Sequence, residues 1–129
     1  AGCDALQKQS ATWVQKGVDY LINTQKANGS WGGDAEAPSS IEETSVALTA
    51  LCRAHGSESA QLRAANWLVE ATEMGTRFPS APIGLYFARL WYHEQLYPIV
   101  WSLQALRAVH SAISEGAPSG SRIVGSPPR

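Results

Sequence analysis

An internal repeat limits what this chain can fold into more than any other feature. Shifting the sequence by 47 residues sets Lys16-Gly17 against Arg63-Ala64 and Tyr20-Leu21-Ile22 against Trp67-Leu68-Val69. The face formed by positions 14, 18, 21 and 22 falls on 61, 65, 68 and 69, and three of the four are apolar in both copies. A second match pairs Val46-Ala47-Leu48-Thr49-Ala50-Leu51 with Trp101-Ser102-Leu103-Gln104-Ala105-Leu106, now at a shift of 55. The extra residues fall around an aromatic stretch from Tyr86 to Trp101, which reads as an insertion within a repeat. Helix pairs recurring at this period predict a helical repeat architecture. Two pairs bury little apolar surface, and such arrays need about three or more for stability. The chain is therefore expected to lean on missing repeats of a parent chain or to self-associate.

Hydrophobic periodicity places the elements and predicts an all-α chain with no strand. Residues 1–11 lack a clear period and read as a frayed segment. The repeat fragment spans 12–113, with helices at about 12–26, 41–55, 59–73, 86–96 and 98–113, and a disordered tail follows over 114–129. Thr12-x-x-Gln15 and Ser40-x-x-Glu43 have the form of capping boxes, and Glu42 and Glu43 also oppose the positive helix N-terminus. In the first helix Val14, Val18, Leu21, Ile22 and Gln25 share a face, with Gly17 expected to admit a close neighbour. The second helix is apolar almost all round and is expected to be enclosed by protein, with Gly56 ending it. Leu62, Ala65, Leu68 and Val69 mark the third, and Ile99, Leu103, Leu106 and Ile113 the last, which opens on Pro98. Each pair thus joins an amphipathic helix to a nearly all-apolar one, which fits concentric rings with the apolar helices inside.

Composition removes several classes of function. A net charge of −1 with 16% charged residues provides no electrostatic footprint for nucleic acid. No run of eighteen apolar residues is present to span a bilayer, and no basic-then-apolar leader opens the chain. Ala1 in place of an initiator Met fits a trimmed or processed piece. Cys3 and Cys52 are too few for a disulfide framework or a zinc site, and Cys52 reads as a small core residue.

One stretch carries a resemblance. Lys16, Gly17, Tyr20, Leu21, Gln25, Gly29 and Trp31 match, slot by slot, the QW motif of class II triterpene cyclases. The second copy keeps Arg63, Ala64, Trp67 and Leu68, but has Thr72 where Gln would stand and no Gly-x-Trp. Residues 83–98, rich in aromatics and closed by a Pro, resemble the C-terminal end of squalene–hopene cyclases. The similarity covers roughly residues 12–112 and implies an α/α-toroid, the double α-barrel of that family, built from outer and inner helix pairs.

The resemblance also implies chemistry. In the family an Asp-x-Asp-Asp motif protonates a terminal alkene of squalene, and aromatic rings lining a closed cavity stabilise the moving carbocation while excluding water, without metal or cofactor. This chain has only Asp4, Asp19 and Asp34, so it holds no such acid and no catalytic residue is assigned. It would supply scaffold and part of the cavity wall, with Tyr86, Phe87, Leu90, Trp91 and His93 as the candidates for contact with a squalene-like substrate. Tyr86, Leu90, His93 and Tyr97 share a face at helical spacing; Leu90 and His93 stand where bacterial enzymes tend to have Tyr. Without the resemblance these rings read as core. The motif residues themselves are expected to brace the scaffold, Gln25 by bonding a neighbouring helix end and Trp31 by stacking on the next repeat. Family membership would further imply peripheral membrane contact on the cytoplasmic side. The alternative is a non-catalytic helical-repeat module that binds a lipid or protein. A protein prenyltransferase β-subunit shares the toroid but needs a zinc set of Asp, Cys and His, for which Cys52 and the three His offer no spacing.

Overall fold

A computed structural model describes residues 2–85 and 90–116, with side chains over 10–84 and 90–114. Within these residues the chain is mostly helical, with a small two-stranded sheet. Helix α1 runs Gly2–Thr24, α2 Ile41–Arg53, α3 Glu58–Ala71 and α4 Leu96–Gly116; strands β1 (Pro82–Leu85) and β2 (Leu90–His93) lie between α3 and α4. The tail from 117 onward lies outside the described residues.

Helix α1 begins ten residues before the expected capping box, so the segment read as frayed is helical. Residues 3–16 contain neither Gly nor Pro, and nothing in their chemistry interrupts the ladder. Among the described side chains of α1, packing begins at Val18. Val18 is buried and Leu21 and Ile22 are half-buried, but Val14 is 54% exposed, and every side chain from Ser10 to Gly17 faces solvent. A Cβ on Gly17 would meet nothing within 4 Å, so no close neighbour uses it.

Helix α2 packs against α1, α3 and α4, and its most extensive contact is with α4. Leu48 and Leu51 are fully enclosed at its centre. Ser40 caps it: its Oγ accepts from Glu43 N at 3.1 Å and donates to Glu43 Oε2 at 2.6 Å. The reciprocal half of a capping box is missing, because Ser40 N donates instead to Trp31 O at 3.2 Å. The expectation of a fully enclosed helix is met on one side only, since Val46 and Ala50 are exposed.

The termini of α2 and α3 are near copies. Gly56 N donates to Leu51 O and His55 N to Cys52 O; Met74 N donates to Val69 O and Glu73 N to Glu70 O. Each pair of bonds forms a Schellman motif. The left-handed residue is His55 (φ 50) in one and Glu73 (φ 48) in the other, not glycine. Gly56 serves close approach instead, as a Cβ there would lie 2.9 Å from Leu51 Cδ2.

Small residues share the helix contacts of the second half with only a few of the large aliphatics. Along α3 the buried positions are Ala60, Gln61, Ala64 and Leu68, whereas Leu62 and Val69 are exposed. Along α4 they are Pro98, Ser102, Ala105 and Val109, whereas Ile99 and Ile113 are exposed and Leu103 is 69% exposed. Both helices carry two stripes at helical period, and the one with less bulk allows closer backbone approach to α2. Gln61 is tied inside: its Nε2 donates to Gly56 O at 3.0 Å and its Oε1 accepts from Cys52 Sγ at 3.3 Å.

Of the helix expected over 86–96, the described residues 90–95 are not helical. Pro82 pairs with His93, Ile83 with Tyr92, Gly84 with Trp91 and Leu85 with Leu90 in an antiparallel hairpin. The β-propensity of Trp91-Tyr92 and the absence of a side chain at Gly84 explain the choice. A Cβ on Gly84 would sit 3.1 Å from Trp91 Cζ3, so the indole covers the glycine across the ladder. Residues 86–89 lie outside the described residues. Tyr97 stacks on Trp101 inside α4, with ring centroids 4.5 Å apart.

Candidate functional site

The QW stretch becomes a turn held at both ends. Lys26 N donates to Ser30 O at 3.0 Å and Gly29 N to Lys26 O at 2.9 Å. Asn28 Oδ1 accepts from Ser30 Oγ at 2.6 Å, closing the turn by its own side chain. Gly29 has φ 92, and a Cβ on it would lie 2.6 Å from Arg63 O. Only glycine suits both demands.

Gln25 links this turn to α3. Its Nε2 donates to Gly29 O and to Ala60 O, each at 2.9 Å, while its Oε1 accepts from Arg63 Nη2. Arg63 holds the basic slot of the second copy, so the amide of one copy is gripped by the other. Trp31 works at the opposite side of the turn and is 5% exposed. Its Nε1 donates at 3.0 Å to Leu21 O, a carbonyl in the last turn of α1. Its own N donates to Thr44 Oγ1 at 3.0 Å, and that hydroxyl donates back to Trp31 O at 3.3 Å. Trp31 thus pins the end of α1 to the start of α2 by hydrogen bonds and burial.

The remaining motif residues divide by exposure. Lys16 Nζ lies 4.9 Å over the Trp13 ring on the free half of α1, and Tyr20 is exposed. Ala64 and Leu68 are fully buried and Trp67 packs at the edge of the core. Thr72, in the slot of the missing Gln, turns inward and donates to Leu68 O at 2.7 Å.

Of the candidates for substrate contact, Tyr86 and Phe87 lie outside the described residues. Leu90, Trp91 and His93 are exposed on β2, where alternation sends Leu90 and His93 to opposite faces. His93 Nδ1 lies 3.4 Å from Ser80 Oγ and 3.3 Å from Ser80 O.

One concave feature lies away from β2. A groove of about 640 Å³ runs between the C-terminal half of α1, the QW turn and α2, and Trp101 of α4 lines it as well. Its apolar wall includes Leu21, Trp31, Val46, Ala47 and Ala50, and its polar wall Lys26, Asp34, Glu42 and Glu43. This volume falls within the roughly 300–1,000 Å³ of small-molecule sites. Three of the four charged groups are already held: Lys26 Nζ donates to Ala37 O, Asp34 Oδ1 accepts from Glu36 N at 2.9 Å, and Glu43 takes the Ser40 hydroxyl.

Glu42 differs. Capping accounts for Glu43 but not for its neighbour, which is 5% exposed. Its Oε1 accepts from Ala81 N at 2.8 Å, tying the segment before β1 to α2. Its Oε2 is buried without a hydrogen-bond partner. Leaving such an acceptor unpaired costs roughly 1–3 kcal/mol. The capping position marks Glu43 locally, whereas the role of Glu42 depends on a bond from the distant Ala81 N.

Elsewhere, burial pushes the Cys52 thiol above its usual range, which keeps it unreactive. Among the described residues no three His, Cys, Asp or Glu side chains group to hold a metal ion, and no helix is long and apolar enough to cross a membrane. Comparison with protein-family models, curated proteins and solved structures found no match to this chain.

Proposed function

We propose that the chain is a C-terminal portion of a class II triterpene cyclase-like protein, an α/α-toroid whose inner helices α2 and α4 contribute to a substrate cavity. The observation that carries this reading is the Gln25 bridge, in which the motif amide after α1 meets Ala60 and Arg63 of α3. In such a protein the reaction is proton-initiated cyclisation of a squalene-like polyene, and this portion supplies wall and bracing. The initiating acid lies in another part of the parent chain, because Asp4, Asp19 and Asp34 form no Asp-x-Asp-Asp run.

Reading the coding sequence upstream of Ala1 tests the proposal. An Asp-x-Asp-Asp motif in the same open reading frame supports it, and a complete frame without one overturns it. The purified 129-residue chain is expected to release no hopene-type product from squalene, as followed by gas chromatography. Product formation by this chain alone would overturn the division of labour between acid and wall.

One observation favours a non-catalytic repeat module that binds a lipid or protein. Thr72 bonds within its own helix, so the second brace does not reach a further repeat. The same upstream sequence separates the two readings.

A further inference from the structure

Positions that the repeat makes equivalent are open in one copy and buried in the other, and the sense reverses between the two ends of the helical array. At one end, Val14 and Gly17 of α1 are exposed, whereas Gln61 and Ala64, 47 residues on, are buried in α3. Ala50 of α2 is exposed as well, whereas Ala105, its counterpart at a shift of 55, is fully buried in α4. At the other end, Ile99 and Leu103 of α4 are exposed, whereas their counterparts in α2, Thr44 and Leu48, are fully buried.

Both open faces are contiguous surfaces. Val14, Gly17 and Ala50 border an apolar groove of about 540 Å³ between α1 and α2, and a Cβ on Gly17 would meet nothing within 4 Å. Ile99, Leu103 and Leu106 border a second groove, of about 450 Å³, together with Val69 and Met74. Exposed apolar surface gathered in this way marks an interaction site. The interior of the chain shows what such faces accept: α2 packs against α3 and α4, and Leu48, Ala64 and Ala105 join one buried cluster.

We propose that the chain binds a second copy of itself head to tail, the face of α4 bearing Ile99 and Leu103 docking over Val14, Gly17 and Ala50 of the next copy. The contact repeats between chains the packing that α2 makes against α3 and α4 within one chain. Two unlike faces meet, so each copy keeps one of each to offer, and the assembly closes as a ring or grows as a fibre according to the rotation per copy. A net charge of −1 sets little repulsion against association. The assignment rests on the repeat and not on the cyclase reading, so a monomeric chain leaves that reading standing and a missing acid motif leaves this one.

Sedimentation velocity of the 129-residue chain over about 5–200 µM tests it, with one variant for each face. The native chain is expected to form species larger than a monomer, increasing with concentration. Val14→Glu and Leu103→Glu, both at exposed positions, are each expected to weaken self-association at least about ten-fold, because docking would bury an unpaired carboxylate. Mixed in equal amounts, the two variants are expected to form a heterodimer and nothing larger, since one intact pair of unlike faces remains between them. A native chain that is monomeric at about 200 µM overturns the proposal and assigns the two faces to another occupant, such as a further repeat of a longer parent chain. A variant that still self-associates alone overturns it too, because the contact then uses one face paired with itself. So does a mixture that stays monomeric, which marks a symmetric contact needing both faces in each copy. Circular dichroism reports whether each variant folds; should either fail, Ala50→Glu and Ile99→Glu repeat the test on the same two faces.

Discussion

The two places where a first helix of the repeat ends show the same start and opposite outcomes. After α1, Gln25 bonds Gly29 O of its own turn and also reaches Ala60 and Arg63, and Trp31 returns to seal Leu21 O and Thr44. After α3, Thr72 gathers the turn to itself: its hydroxyl bonds Leu68 O, its carbonyl accepts from Gly75, Thr76 and Arg77, and Gly75 N also reaches its Oγ1 at 3.2 Å. Side-chain length decides. A Gln amide reaches across to a neighbouring helix, whereas a Thr hydroxyl reaches only its own preceding turn. The first turn ties α1 to α3, and the second is a local cap.

That contrast can be broken at several points, each read from the midpoint and slope of denaturant unfolding followed by circular dichroism. Trp31→Ala is expected to cost the most, about 3–5 kcal/mol for loss of a buried aromatic. A loss below about one kcal/mol would mean that the indole is not the seal described for it. Gly29→Ala comes next, at about 1–3 kcal/mol, because positive φ and the approach to Arg63 O act together. A neutral result there would show that the turn can relax away from α3. Gln25→Ala is expected to cost about 1–2 kcal/mol and Thr72→Ala about half as much, since only the first removes contacts between elements. Equal costs would erase the distinction between brace and cap. The smallest effect carries the opposite sign: His55→Gly is expected to stabilise by up to about 1 kcal/mol, relieving a left-handed residue at the end of α2. Destabilisation by that change would reveal a contact of the imidazole that matters more than its backbone.

The aromatic stretch is where sequence and structure part most clearly. Tyr86, Leu90, His93 and Tyr97 fall on one face if the segment is helical, and on no common face if it is a hairpin. Periodicity could not choose, because a short run dense in aromatics satisfies both patterns. Gly84 was the available signal, since a glycine opposite a Trp is a cross-strand partner, but that pairing exists only once the register is known. The same limit applies to α3 and α4. Leu68 is core as its position suggests, yet Leu62, Val69, Ile99, Leu103 and Ile113 are exposed while Ala60, Ala64, Ser102 and Ala105 are buried, because closeness of packing depends on both surfaces.

What the sequence determined by itself was local: helices near 12–26, 41–55, 59–73 and 98–113, the cap at Ser40, and the turn at Asn28-Gly29. Those follow from backbone propensity, capping and period, which act within about one or two helical turns. The tertiary structure decided everything that requires two distant segments at once. It assigned the Gln25 amide to Ala60 and Arg63, 35 and 38 residues away, and it separated Glu42 from Glu43 by laying Ala81 over one of them. Burial and hydrogen-bond partnership belong to pairs of surfaces, and no single stretch of chain carries the other half of the pair.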